Sequence, residues 1–206
     1  MNKKIRKIKF KKNKSKIVCL TAYSKSIAKI LDNHCDIVLV GDSMANVLYG
    51  FDDIGKISLN NIIQHTQSVK KGIKKSLLVV DMPKGSYRNL KTAKKNAKLI
   101  IQKTKCDAVK LESNNKNYNI IKELTKKKIP VMGHIGFTPQ FKKKFKVEGD
   151  TKEKALQLLN DAKQIEKAGA FSIVLECLSP NAARLISAQL KIPTIGIGSS
   201  SNCDGQ

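Results

Sequence analysis

Four short apolar runs in this sequence end on residues able to do chemistry. "CDIVLVGDSM" (35–44) passes from Ile37–Val40 through Gly41 into Asp42, and "LLVVDMP" (77–83) ends on Asp81. "DAVKLES" (107–113) ends on Lys110 and Glu112, and "FSIVLECL" (171–178) on Glu176. "MGHIGFTPQ" (132–140) places His134 at the end of another. Apolar runs belong in a core, whereas ionisable groups are expensive there unless they stand at its edge. The repeated pattern predicts core strands whose C-terminal ends carry one shared site.

The residue types suggest which chemistry. Asp42 and Asp81 are candidates for a hard divalent cation such as Mg²⁺, which takes one or two carboxylates and keeps waters for a substrate to displace. A single aspartate at a strand end is equally at home as a helix N-cap. Glu112 is either a third ligand, direct or through water, or the partner that fixes Lys110. Lys110, inside "AVKLE", suits a substrate carboxylate. Glu176 is the best general base: partial desolvation at the end of an apolar strand is expected to raise its pKa toward neutrality. Its alternative is a salt-bridged loop acid. His134 is expected to support or bind before it acts as an acid or base, with Gly133 and Gly136 allowing close backbone approach. His34 and His65 gain no role from spacing.

The elements that must position these residues follow from periodicity. Seven continuous Val/Ile/Leu-rich runs lie at about 17–23, 36–41, 77–81, 107–112, 129–134, 171–176 and 192–197. Continuous runs fit strands buried on both faces of a parallel sheet. Between them lie segments of helical period. In 150–170 the apolar face is Ala155, Leu158, Leu159, Ala162 and Ile165, with Asp150 and Glu153 as a capping box and Gly169 as the stop. In 91–105 it is Ala93, Ala97, Ile100 and Ile101. Strand–helix alternation predicts an α/β fold, and ionisable groups at several strand ends favour a (β/α)₈ TIM-type barrel over a doubly wound sheet. No G-x-G-x-x-G follows the first strand.

Composition bounds the rest. A chain of 206 residues with 41% apolar content can build one core-bearing domain, 1–206, whose first 16 residues form a basic N-terminal segment. No apolar run reaches the roughly 20 residues of a membrane helix, and the basic N-terminus lacks the apolar stretch of a signal peptide. A soluble, cytoplasmic protein with no membrane partner is expected. The five cysteines show no C-x-x-C spacing and read as reduced thiols. The 40 basic residues against 16 acidic ones give +24, which by itself suggests nucleic acid. Only three of them are arginine, the residue that reads phosphates and bases bidentately. A lysine-dressed surface is therefore favoured over a specific nucleic-acid site, with "KFKKNKSK" (9–16) as the basic tail of the alternative.

Taken together and in order, "TAYS", "VGDS", "VDMPKGSY", "VKLES", "GHIGFTPQ", "VEGDTKEKALQLLNDA", "EKAGAFSIVLEC", "IPTIGIGS" and "CDGQ" resemble the ketopantoate hydroxymethyltransferase family from about residue 14 onward. The resemblance implies a barrel of the phosphoenolpyruvate-utilising superfamily, commonly decameric. It also implies Mg²⁺ and the co-substrate 5,10-methylenetetrahydrofolate, with hydroxymethyl transfer to the 2-oxo acid 3-methyl-2-oxobutanoate giving 2-dehydropantoate. By motif, Asp42 and Asp81 meet metal and substrate, Ser43 and Lys110 bind substrate, Glu112 belongs to the metal shell, and Glu176 accepts the proton. Rival readings are another Mg²⁺-dependent enolate enzyme of that superfamily, a catalytically impaired, truncated paralogue, or a basic nucleic-acid-binding protein.

The sequence departs from the family pattern around the loops. Met44-Ala45 follow Ser43, Ser24 and Lys84 are atypical, and the stretch after Gln140 is short. Only "SSSNCDGQ" follows the seventh run. The expectation is a barrel lacking its eighth strand–helix unit, with unpaired edges on the first and seventh strands.

Overall fold

The computed structural model describes residues 2–113 and 117–206. Seven strands form one sheet: β1 (Cys19–Thr21), β2 (Ile37–Val40), β3 (Leu77–Asp81), β4 (Ala108–Glu112), β5 (Val131–Gly136), β6 (Ser172–Glu176) and β7 (Thr194–Ile197). They are hydrogen-bonded in sequence order, and every pair is parallel. The helices are α1 (Lys3–Phe10), α2 (Lys25–Leu31), α3 (Met44–Val47), α4 (Leu59–Lys70), α5 (Leu90–Thr104), α6 (Tyr118–Lys126), α7 (Lys152–Lys167) and α8 (Pro180–Gln189). The result is a nearly closed (β/α) barrel of TIM type.

Two apolar clusters follow from the two-residue period of strands. Val38, Val40, Leu78, Val80, Val109, Leu111, Ile173 and Leu175 face outward and pack against the helices. Ile37, Leu77, Val79, Ala108, Met132, Val174 and Ile195 form the inner cluster. On that inward parity the next residues along the strands are Asp81, Lys110, Glu112, His134 and Glu176. One alternation therefore builds both a filled lower barrel and a polar mouth.

The 1–16 segment is part of this fold. Ile5 and Ile8 of α1 are buried in the inner cluster and stop the N-terminal end of the barrel. Fully burying such a side chain contributes roughly 1.5–3 kcal/mol. Asn2 caps the helix by accepting from the Lys4 N–H at 2.8 Å. The candidate basic tail is likewise tied down: Lys11 bonds Asp36 at 2.6 Å and Lys12 bonds Asp204 at 2.8 Å.

Three further expectations are corrected. The cap of α7 is Thr151, accepting from the Lys154 N–H at 3.3 Å; Asp150 instead pairs with Lys154. The fifth strand runs on past His134 to Gly136, so His134 lies within it. The edges of β1 and β7 are not wholly unpaired either. Gly205 bridges Ile17 on one side and Ile195 on the other, both in parallel. Its N–H donates to Thr194 O at 3.0 Å, while the Gln206 N–H donates to Ile17 O at 3.0 Å and the Cys19 N–H to Gln206 O at 2.7 Å. Residues 204–206 thus occupy the eighth position at the lower end, whereas Leu20 and Ile197 above them remain exposed.

All five cysteines are free, as expected. No helix among the described residues is long and apolar enough to cross a membrane.

Candidate active site

A cavity of about 790 Å³ is lined by Asp42, Ser43, Asp81, Lys110, Glu112, His134 and Glu176 at the C-terminal end of the strands. It extends down beside β1 and β7, where Ile17, Cys19, Ile195, Gly205 and Gln206 also line it. The register explains the meeting. Asp81 is opposite Lys110, Glu112 is opposite His134, and Glu176 is opposite Gly136. Asp42 comes from the turn after β2, and its N–H donates to Asp81 Oδ2 at 3.1 Å.

Lys110 and Asp81 form a buried ion pair at 2.7 Å. Asp81, not Glu112, is therefore the partner that fixes Lys110. Burial works to lower the Lys110 pKa, but Asp81 and Asp42 outweigh it and hold the ammonium above its ordinary value. Asp42 is pushed up to about 7 by burial and by the charge of Asp81. Glu112 is pushed up to about 8 by burial, with the charge of Asp42 acting in the same direction. Three buried carboxyl groups, on Asp42, Asp81 and Glu112, thus surround one buried ammonium.

His134 is fully enclosed. Its Nε2 lies 3.1 Å from Glu176 Oε2, and its Nδ1 lies 3.8 Å from Glu112 Oε1. Burial, then the charge of Lys110, lowers its pKa and keeps the ring neutral. Glu176 is the most open acid of the group, its side chain 18% exposed. Gly136 explains the closeness of β5 and β6 here. Its φ is +96°, and any Cβ would collide with the Glu176 carbonyl oxygen and the Leu178 side chain. Gly133 is similarly restricted, by Ile165. Both close approaches match the sequence reading.

Asp42 and Asp81 are the pair suited to a hard cation. Among the described residues no group of three or more His, Cys, Asp or Glu is arranged as a metal cage. Two carboxylates completed by waters would be enough for Mg²⁺, and a cation there would favour the charged form of Asp42, which burial and the Asp81 charge disfavour.

The structure also brings in residues that sequence reasoning gave no role. The Tyr23 hydroxyl lies 2.8 Å from Ser43 Oγ. Gln140 sits between Asp42 and Glu112, and the Tyr87 hydroxyl donates to its Oε1 at 2.5 Å. All three lie in motifs already singled out, "TAYS", "GSY" and "TPQ". His34 and His65 stay outside: His34 is exposed, and His65 bonds Tyr49 and the Tyr23 carbonyl.

A family model described as "Ketopantoate hydroxymethyltransferase" matches residues 2–206. The chain is 56% identical over 206 residues to the 3-methyl-2-oxobutanoate hydroxymethyltransferase of Pelagibacter ubique (strain HTCC1062), covering all of this chain and 80% of that protein. Its counterpart from Anaplasma marginale (strain St. Maries) is 45% identical over 202 residues, 97% of this chain and 73% of that one. Among solved structures, 2,3-dimethylmalate lyase, a PEP mutase/isocitrate lyase superfamily member, superposes with a TM-score of 0.67 at 16% identity, over 95% of this chain and 72% of that one. Phosphonopyruvate hydrolase in complex with oxalate and Mg²⁺ gives a TM-score of 0.67 at 12% identity, over 95% and 80%. The two structural matches show that the chain has the same barrel fold.

Proposed function

Because the chain belongs to the ketopantoate hydroxymethyltransferase family, we propose that it transfers a hydroxymethyl group to 3-methyl-2-oxobutanoate. The donor is 5,10-methylenetetrahydrofolate and the product 2-dehydropantoate, which in this family serves pantothenate biosynthesis. One observation carries the reading: acid, base and ammonium groups from four successive strands face a single cavity, on one inward parity, beside Asp42 and Ser43.

Asp42 and Asp81 would hold Mg²⁺, with Glu112 close behind them. When bound, the ion supplies Lewis acidity at the keto and carboxylate oxygens of the substrate. The Lys110 ammonium has three N–H donors and gives one to Asp81; the others serve the substrate carboxylate. Ser43, oriented by Tyr23, bonds the keto acid. Glu176 accepts the proton from C3, the branched carbon beside the carbonyl. The electron pair left there attacks the methylene carbon of the folate as one of its two C–N bonds breaks, the nitrogen keeping that bond's pair and taking up the proton removed from C3. The second C–N bond then breaks as water adds its hydroxyl to the carbon and its proton to the departing nitrogen, so that tetrahydrofolate leaves. His134 Nε2 lies 3.1 Å from Glu176 Oε2 without a formed hydrogen bond; the neutral ring flanks the carboxylate and would meet it with only a small turn.

The test is exchange of the C3 proton with deuterated water. Glu176→Gln is nearly isosteric and cannot accept that proton. It should still bind the keto acid while exchange falls roughly 10²–10⁴-fold. Undiminished exchange would remove Glu176 as the base.

A further inference from the structure

Gln140 ties together more of the site than any other neutral residue there. It is 2% exposed, and both polar atoms of its side chain are engaged. Its side-chain Nε2 donates to Asp42 Oδ2 at 2.7 Å and to Met82 O at 3.0 Å. Its main-chain N–H donates to Glu112 Oε2 at 3.0 Å, and its Oε1 accepts from the Tyr87 hydroxyl at 2.5 Å. The amide can point only one way, because a carboxylate and a carbonyl both accept and cannot face Oε1. Tyr87 completes that choice. Its phenol pKa is raised, by burial and then by the charge of Glu112, so it remains a donor.

The position of Gln140 follows from its loop. Thr138 O accepts the N–H groups of Phe141 at 2.9 Å and Lys142 at 2.8 Å, closing a turn with Pro139 at its second position, where a fixed φ is favourable. That turn delivers Gln140 from the end of β5 across the mouth to the turn after β2 and the tip of β4. A lysine or arginine there would also hold Asp42, but it would cancel the negative charge. A neutral amide fixes the carboxylates and leaves their charge available to a cation.

We propose that Gln140, locked by Tyr87, is a positioning residue: it sets the Asp42 and Glu112 carboxylates in the geometry that receives the divalent cation. This rests on the metal assignment made for Asp42 and Asp81 above. Groups that orient ligands from behind typically change metal affinity 10–100-fold when removed.

The experiment measures Mn²⁺ binding by electron paramagnetic resonance, with Mg²⁺ as competitor, in the wild-type protein, Gln140→Leu and Tyr87→Phe. Circular dichroism establishes that each variant is folded. Gln140→Leu should weaken Mn²⁺ by roughly 10–100-fold, and Tyr87→Phe, which removes a single oxygen, should weaken it in the same direction by less. Deuterium exchange at saturating Mn²⁺ should recover in Tyr87→Phe, since the base is untouched. A folded Tyr87→Phe or Gln140→Leu that binds Mn²⁺ as tightly as wild type overturns the inference alone. A wild-type protein that binds no Mn²⁺ overturns the metal assignment and the inference with it.

Discussion

At the scale of single residues, the charged members of the site were legible because they break a rule. An ionisable residue inside an apolar run needs a reason, and five of them sit on the parity that faces the cavity. Gln140, Tyr87 and Tyr23 were not legible, because a neutral polar residue in a loop breaks no rule. The partners of Gln140 lie on other segments, from the end of β4 to the loops after β2 and β3, Asp42 being 98 residues away in sequence, so only the folded chain shows what it touches. The metal assignment is tested at this scale. Asp42→Asn and Asp81→Asn each keep the shape and remove a charge from the cavity. Each should abolish Mg²⁺-dependent activity while circular dichroism stays native. Titration of activity with Mg²⁺ is the check, and wild-type affinity in both variants would remove these carboxylates as ligands.

At the scale of elements, the seven strands and the long helices were readable, since continuous apolar runs and 3.6-residue stripes each fit few kinds of element. Boundaries and closure were less readable. The stop of β5 at Gly136 depends on contact with β6, and the docking of α1 depends on an interior that Ile5 and Ile8 enter from another part of the chain. Closure of the lower barrel depends on Asp204. Its carboxylate accepts from Lys12 Nζ at 2.8 Å, the Thr194 N–H at 2.8 Å and the Asn13 N–H at 3.1 Å. Burial works to raise its pKa, but Lys12 and these N–H groups outweigh it, so it lies below the usual carboxylate value. A depressed folded-state pKa stabilises above the unfolded value of about 3.9, and that contribution is lost as pH falls through the folded value. Asp204→Ala should therefore cost about 3 kcal/mol at pH 7, partly by leaving Lys12 unpaired. Urea unfolding against pH should show the gap from wild type closing only below about pH 4. A gap that is constant down to pH 2.5, or absent at pH 7, would contradict this role.

At the scale of the whole molecule, fold and family agree from independent directions. Sequence similarity extends through 2–206, and the barrel matches enzymes sharing under a fifth of its residues. The +24 charge, the most conspicuous number in the composition, says little about this chemistry. Several lysines of the basic N-terminal stretch hold the fold together: Lys4 bonds Ser76 O at 2.7 Å, and Lys16 bonds Ser201 O at 2.6 Å and Cys203 O at 2.7 Å. The central claim is that this chain, through the ionisable groups lining its cavity, carries out hydroxymethyl transfer. The most direct measurement is formation of 2-dehydropantoate by the purified 206-residue protein from 3-methyl-2-oxobutanoate and 5,10-methylenetetrahydrofolate. Product should accumulate with Mg²⁺ present, fall to background with a chelator, and return when Mg²⁺ is restored. A folded protein that makes no product above background with all three components, or makes it equally well with the chelator, would contradict that claim.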